Sequence, residues 1–183
     1  MAAYSFDIIA NRKAVKWSKK ELAGRMLWEM LRGPLFAWTP RQLWGFRRAV
    51  LRLFGARIGN HVHIHPTVEI AVPWNLDIAE AAAIGDSARI YNLGLVTIGP
   101  RATVSQYAHL CAGTHDYRKP DMPLLKTPIG VGADAWVCAE AFVGPGVTIG
   151  DGAVVGARAV AVSDVPAGQI CVGNPARAVK SRY

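Results

Sequence analysis

Histidine is the side chain that exchanges a proton near neutral pH, and of the five histidines in the chain His115 stands where a regular pattern breaks. It lies in residues 110–116, Leu-Cys-Ala-Gly-Thr-His-Asp, and is followed by an excursion from Tyr117 to Pro128 with Arg118, Lys119, Asp121, Lys126 and three prolines. A loop of that length in a compact fold is usually functional. The other histidines offer a competing chemistry. His61, His63 and His65 alternate and would face one way along a strand, as zinc ligands can. Val62 and Ile64 between them suit an inward slot, which makes the three histidines plain outward residues. His109 and His115 are six apart, on successive faces of the repeat described below, and are poorly placed for one ion. Asp116, next to His115, points the opposite way in an extended chain and can orient the imidazole only if the chain turns at once.

The pattern that breaks is a period of six. Ile58, Ile64 and Ile70 are followed, after a slip of two residues, by Ile78, Ile84 and Ile90, and after a second slip by Ile98, Val104 and Leu110. Beyond the excursion the period resumes with Val131, Val137, Val143, Ile149 and Val155. Four residues after each of these comes a second, usually small residue, such as Ala82, Ala102, Ala135 or Ala153, and glycine recurs one position after many of them. A period of six kept over more than a hundred residues is the mark of a three-sided parallel coil. The aliphatic slot stacks on its counterpart one coil away, at about 4.8 Å, and the small residue fits a corner where a larger one would clash. The glycine is expected to ease the turn. His115 ends the last hexad before the break, so it sits at the base of a loop thrown out over the coil.

Charge is uneven. Residues 1–57 hold 12 of the 21 Lys and Arg and 3 of the 13 acids, which leaves 9 and 10 for the remainder. A nearly neutral main body argues against a nucleic-acid groove along its length, and the basic N-terminal part argues for an anionic surface or partner there. Cys111, Cys138 and Cys171 are odd in number and lack metal-knuckle or redox spacing, so they suit a reducing compartment. The start, Met-Ala-Ala-Tyr-Ser-Phe-Asp, shows no apolar signal region, and residues 22–38 are cut by Arg25, Glu29 and Arg32, so no span is expected. A cytoplasmic protein follows, with the inner membrane face as a place of peripheral contact.

Before the coil, residues 1–16 show no period and are expected to form an extended arm. Ser18 with Glu21 predicts a capped helix over Leu22, Met26 and Met30, stopped by Gly33-Pro34. A second helix is expected after Thr39-Pro40, with Leu43, Phe46, Val50, Leu51 and Phe54 on one side, Arg41, Arg47, Arg48 and Arg52 largely on the other, and Gly55 at its end. These helices either cap the open end of the coil, pack against a neighbouring subunit, or lie on a membrane where a lipid-linked substrate resides.

The stretches Gly113-Thr114-His115-Asp116-Tyr117, residues 128–137, Pro145-Gly146-Val147-Thr148-Ile149-Gly150 and Gly173-Asn174-Pro175-Ala176-Arg177 resemble the sugar O-acetyltransferase branch of the hexapeptide-repeat acyltransferases. Leu35-Phe36-Ala37-Trp38, residues 51–56 and Val72-Pro73-Trp74-Asn75-Leu76 look most like the colanic-acid-type exopolysaccharide acetyltransferases, and the maltose and galactoside enzymes share the same branch. The resemblance implies a mainly β fold, a left-handed parallel β-helix over 58–173 with a protruding loop at 116–128. An N-terminal arm and helices would precede it over 1–57, and a tail would follow over 174–183. The left hand comes from the resemblance alone, since parallel crossovers are normally right-handed.

The resemblance further implies acetyl-CoA as cosubstrate, no metal, and His115 as general base toward a hydroxyl of a sugar or a lipid-linked saccharide. An imidazole with its ordinary pKa near ~6.5 is neutral enough for that task. Position by position it places the cofactor against Ala139, Ala157, Val162, Arg177 and Lys180, with Arg177 and Lys180 meeting phosphates. Where Val162 stands the family often has Thr, so only main-chain contact is expected there. Trp136 would pack beside the thioester, and Asn92 and Asp116 are the candidates on the acceptor side. One prism supplies one wall of the cofactor groove, so a homotrimer is expected. Two other readings compete: a metal-dependent hydratase of the γ-carbonic anhydrase type on the same coil, and a non-enzymatic scaffold whose basic helices bind membrane or a partner.

Overall fold

The computed structural model describes residues 5–183, and the part of the expected arm that falls on residues 1–4 lies outside them. Short parallel strands stack into three sheets. The first face is built from Arg57–Ile58, Leu76–Ile78, Val96–Ile98, Ile129–Val131 and Thr148–Ile149. The second carries His63–Ile64, Ala83–Ile84, Thr103–Val104, Trp136–Val137, Val154–Val155 and Gln169–Val172, closed by the antiparallel strand Arg177–Ser181. The third carries Glu69–Ile70, Arg89–Tyr91, His109–Cys111, Phe142–Val143 and Val160–Ala161. The mainly β parallel coil, the helical N-terminal segment and the protruding loop are thus as the sequence pattern predicts.

The aliphatic slots form columns. Ile58, Ile78 and Ile98 pair in register, as do Val131 with Ile149, Ile64 with Ile84, and Ile90 with Leu110. These side chains are buried, and so are Ala82, Ala102, Ala135 and Ala153 at the second slot. Each aliphatic removed from water contributes about 1.5–3 kcal/mol, which over so many coils makes the column the main source of stability. The recurring glycine has a different reason from the one expected. A Cβ on Gly59 would stand 2.5 Å from the backbone nitrogen of Glu80 in the next coil, so close approach between coils excludes a side chain. The left-handed residue of the turn comes two positions later, at His61, Ser87, Arg101, Asp134 and Arg158, with φ between 54° and 59°. Where that later residue is itself glycine, at Gly146 and Gly152, the turn carries no Cβ penalty.

Both two-residue slips fall between the third and first faces, at the 3-10 turn Pro73–Asn75 and at residues 92–94. The excursion after His115 leaves from that same corner, one coil further on. Successive coils therefore place their extra residues on one edge of the prism.

Three helices precede the coil: α1, Ile8–Lys13; α2, Lys19–Arg32; and α3, Trp44–Leu53. The extended arm expected over residues 5–16 is thus corrected by α1, which Asp7 caps by accepting from the Ala10 backbone. Ser18 and Glu21 form the predicted capping box on α2. Gly33-Pro34 does not stop the chain, which continues through a π-helical turn, Gly33–Ala37, because proline is tolerated at the start of a turn.

The face assigned to α3 is also corrected. Its inward stripe is Arg47, Val50, Leu51 and Phe54, at helical spacing, while Leu43 and Phe46 remain 44 % exposed. The reason lies in the edge that α3 covers. In each coil the carbonyls corresponding to Ile58, Val62, Ile64 and Ile70 accept from the coil before, but the first coil has none before it. Arg52 donates to Ile58, Arg48 to Val62, Arg47 to Ile64 and the Trp28 indole to Ile70. Arginine brings five donors and no acceptor, so it suits an edge made of unpaired carbonyls. Part of the local basicity is thereby spent on capping the coil rather than on an anionic partner. No helix among the described residues is long and apolar enough to cross a membrane.

Candidate active site

His115 sits on a small antiparallel hairpin, Thr114–His115 paired with Leu124–Leu125, which gives the excursion more order than a plain loop. Its base packs on the second slip. A Cβ on Gly113 would meet Leu93 at 3.0 Å, and one on Gly94 would meet the Thr127 carbonyl at 2.6 Å, so both positions need glycine to let the strands meet. Gly94 N–H also donates to Ala112 O. The hairpin thus stands on a rigid coil and leaves His115 half-buried.

Within the hairpin, Nδ1 of His115 lies 2.6 Å from the Met122 carbonyl. A carbonyl only accepts, so Nδ1 carries the hydrogen and the lone pair is left on Nε2. This is the tautomer a general base needs, and the orienting group is a backbone oxygen. Met122 holds a positive φ of 41°, an uncommon conformation for a side chain of its type, and this turn aims its carbonyl at the ring. No pattern in the sequence marks Met122 for this role.

Asp116 does not orient the ring. Its carboxylate accepts from the backbone and guanidinium of Arg118, which hold it below the ordinary carboxylate range, and its N–H donates to Pro123 O. It shapes the start of the excursion.

Asn92 does not hold an acceptor. It is fully buried, and its amide accepts from the Ala71 and Val72 backbones and donates to Val72 O and Asn75 O. Asn75 in turn donates to Leu93 O, so the two asparagines tie the slips together beneath the hairpin. A side chain whose donors and acceptor are spent inside the fold has nothing to offer a sugar hydroxyl. Asn92→Ala is expected to lower stability by about 2–3 kcal/mol, the cost of stranding buried backbone groups. Urea unfolding measures this, and a variant of unchanged stability with a raised KM for acceptor would return Asn92 to the substrate side.

The expected cofactor residues fall on two edges of the prism. Val162 follows the third-face strand Val160–Ala161 and, in continuing register, lies two coils beyond Cys111, about 10 Å along the edge from which the His115 hairpin leaves. Ala139 and Ala157 lie at the corner between the second and third faces, joined by the bond from Arg158 N–H to Ala139 O. Trp136 stands outward on the second face and donates to Ser105 Oγ at 2.8 Å. It borders a shallow depression of 420 Å³ with Arg101, Thr103, Asp134 and Arg182. Arg177 and Lys180 are exposed on the closing strand of that face. A single protomer therefore does not bring His115 and the second-face residues into one groove.

The other histidines are engaged elsewhere. His63 stacks on Trp44 with ring centres 4.8 Å apart, and His65 bonds Asp86 through Nδ1 and faces Arg41 through Nε2. His61 occupies a left-handed corner, so the three do not point one way. His109 is packed edge-on to Phe142, and burial, followed by the nearby Arg89 charge, depresses its pKa. Among the described residues no group of three or more His, Cys, Asp or Glu is placed to hold a metal ion.

No family model matches the chain. It is 44 % identical over 156 residues to an Escherichia coli K12 protein assigned to colanic acid biosynthesis as the acetyltransferase WcaF, covering 85 % of this chain and 86 % of that one. Among solved structures, a galactoside acetyltransferase in complex with coenzyme A superposes with a TM-score of 0.83 at 21 % identity, covering 96 % of this chain and 89 % of that one. The hexapeptide-repeat acetyltransferase VCA0836 of Vibrio cholerae, complexed with acetyl coenzyme A, gives a TM-score of 0.82 at 22 % identity and 92 % coverage of both chains. At such identities these two structures establish the fold.

Proposed function

The chain belongs to the hexapeptide-repeat acetyltransferases, and on that footing we propose that it transfers the acetyl group of acetyl-CoA to a hydroxyl of a sugar or exopolysaccharide precursor, with His115 as general base. The observation that carries the reading is the 2.6 Å contact between His115 Nδ1 and Met122 O, which leaves Nε2 as the acceptor of a proton. The relative in colanic acid biosynthesis and the galactoside acetyltransferase support a saccharide acceptor. The coenzyme A complexes of the structural neighbours support the donor.

In this reading the acceptor hydroxyl attacks the thioester carbonyl as its proton passes to Nε2. The tetrahedral intermediate collapses, the carbon–sulfur bond breaks, and the departing thiolate takes the proton back from the imidazolium. The products are the acetyl ester and free CoA, and His115 returns to its starting tautomer. The small side chains at Ala139 and Ala157 let the pantetheine arm approach the backbone, Val162 offers main-chain contact, Trp136 lies beside the thioester, and Arg177 and Lys180 meet phosphates.

Because His115 and the second-face residues occupy different edges, the complete site needs a second copy of the chain. A closed threefold ring sets one protomer's His115 edge against its neighbour's second face and repeats the groove three times. The test is thiol release from acyl-CoAs of increasing length against a panel of saccharide acceptors, with the mass in solution measured on the same sample. Acceptor-dependent release from acetyl-CoA by a trimer of the 19.7 kDa chain is expected. A monomer, or release that no saccharide stimulates, counts against it.

A further inference from the structure

The carbonyl that orients His115 has a second donor from the far end of the chain. Asn11, on α1, places its amide nitrogen 2.7 Å from Met122 O and 2.6 Å from Asp121 O. Lys16 Nζ donates to the Asn11 side-chain oxygen at 2.8 Å, which settles the amide's orientation, since the flipped form would set oxygen against two carbonyls. The same segment is fastened on both sides. Asp7 N–H donates to Pro120 O at 2.7 Å, and Lys126 Nζ lies 3.4 Å from the centre of the Trp17 ring, on which Arg25 also rests. Residues 7–17 thus strap down the excursion at its beginning, at the Met122 turn and near its end.

We infer that Asn11 is a positioning residue for the base, a role that rests on the reading of His115 given above. A carbonyl has two lone pairs, and here one accepts from His115 Nδ1 and the other from Asn11 Nδ2. The Met122 turn is the point on the excursion that must not drift, because its oxygen fixes both the tautomer and the tilt of the ring. The Asn11 amide holds that oxygen and the adjacent Asp121 oxygen at once, and Lys16 holds the amide. The N-terminal segment therefore completes the catalytic geometry from outside the coil, while α1 buries none of its own side chains and adds nothing to the core.

The experiment compares Asn11→Ala, Asn11→Asp and Lys16→Met with the wild-type protein by steady-state kinetics, thermal unfolding and nitrogen NMR of the His115 ring. Asn11→Ala is expected to lower kcat on the order of tenfold, since a base displaced by a fraction of an ångström loses alignment. KM for acetyl-CoA should stay within about twofold, the thermal midpoint should hold, and the His115 ring should shift from one tautomer to a mixture. Asn11→Asp should lose more, because its carboxylate faces two carbonyl oxygens, and Lys16→Met should lose less. Unchanged kcat in Asn11→Ala, or a fall in kcat with the tautomer unaltered, overturns the inference. If His115→Ala keeps the full rate, the base itself is misassigned, and the NMR readout still decides whether Asn11 governs the ring.

Discussion

His115→Ala is expected to lower kcat by about 10²–10⁴-fold while leaving the fold and acetyl-CoA binding in place. The imidazole is half-buried on a hairpin outside the coil, so its removal takes nothing from the aliphatic columns. In the proposed mechanism, what is lost is the acceptor of the hydroxyl proton. His115→Asn is the sharper control, since it keeps a donor that can reach Met122 O but brings no basic nitrogen, and it should be as inactive as the alanine variant. Asp116→Asn should cost far less than either, because the carboxylate serves Arg118 and not the ring. Initial rates of thiol release at saturating acetyl-CoA measure all three. A His115→Ala enzyme within about threefold of wild type would remove the imidazole from the mechanism, whose usual contribution is far larger.

The second large effect is on stability. Arg47→Met is expected to destabilise by about 3–5 kcal/mol, because it removes four hydrogen bonds at once and strands the buried Ile64 carbonyl at the open end of the coil. Arg47 is fully buried, and no acidic partner pairs with it among the described residues. Its guanidinium donates to Ile64 O, Thr39 Oγ1, Pro40 O and Arg41 O, and it lies over the Trp44 ring. Burial depresses its pKa, yet no other side chain supplies as many donors in one plane. Arg47→Lys should recover only part of the loss, since an ammonium group has three donors and cannot span four sites. Arg48→Ala and Arg52→Ala should each cost about 1 kcal/mol or less per bond, because these two side chains, unlike Arg47, are not buried and water can replace them. Denaturant midpoints in the four variants test this, and an Arg47→Met protein as stable as wild type would dissociate α3 from the capping role.

Repetition made most of the coil legible. A residue such as Ile84 or Ala102 repeats its environment in every turn, so position within the hexad predicts burial without knowledge of the neighbours. The excursion that carries His115 was legible for the related reason that it stands where the repetition fails. The features that escaped depend on partners distant in sequence. Arg47 reads as an outward charge by helical periodicity, but the surface beneath α3 is a row of carbonyls, and there a donor outcompetes an aliphatic side chain. Asn92 reads as a loop residue, yet the preceding slip offers its side chain backbone partners at Val72 and Asn75. Asn11 meets Met122 across 111 residues, through a contact no local pattern encodes. The left-handed corners at Arg101, Asp134 and Arg158 were hidden because glycine, the usual marker of positive φ, is used two positions earlier for close approach between coils.

The two-edge distribution of the site links these points to function. In the proposed function mechanism and assembly stand together, because His115 and the second-face residues lie on different parts of one protomer. The capping arginines finish the coil's open end, the asparagine pair steadies the slips beneath the hairpin, and the strap from residues 7–17 holds the hairpin's turn. Each layer fixes the one above it, ending at Nε2 of His115.

The measurement that tests the central claim most directly is a quenched single turnover with acetyl-labelled acetyl-CoA and a saccharide acceptor, followed by analysis of where the label resides. Direct transfer from thioester to hydroxyl predicts an alkali-labile acetyl ester on the saccharide, formed in step with CoA release, with none on the protein and none formed by His115→Ala. Label retained on the protein, or thiol release with no acetylated saccharide, would contradict it.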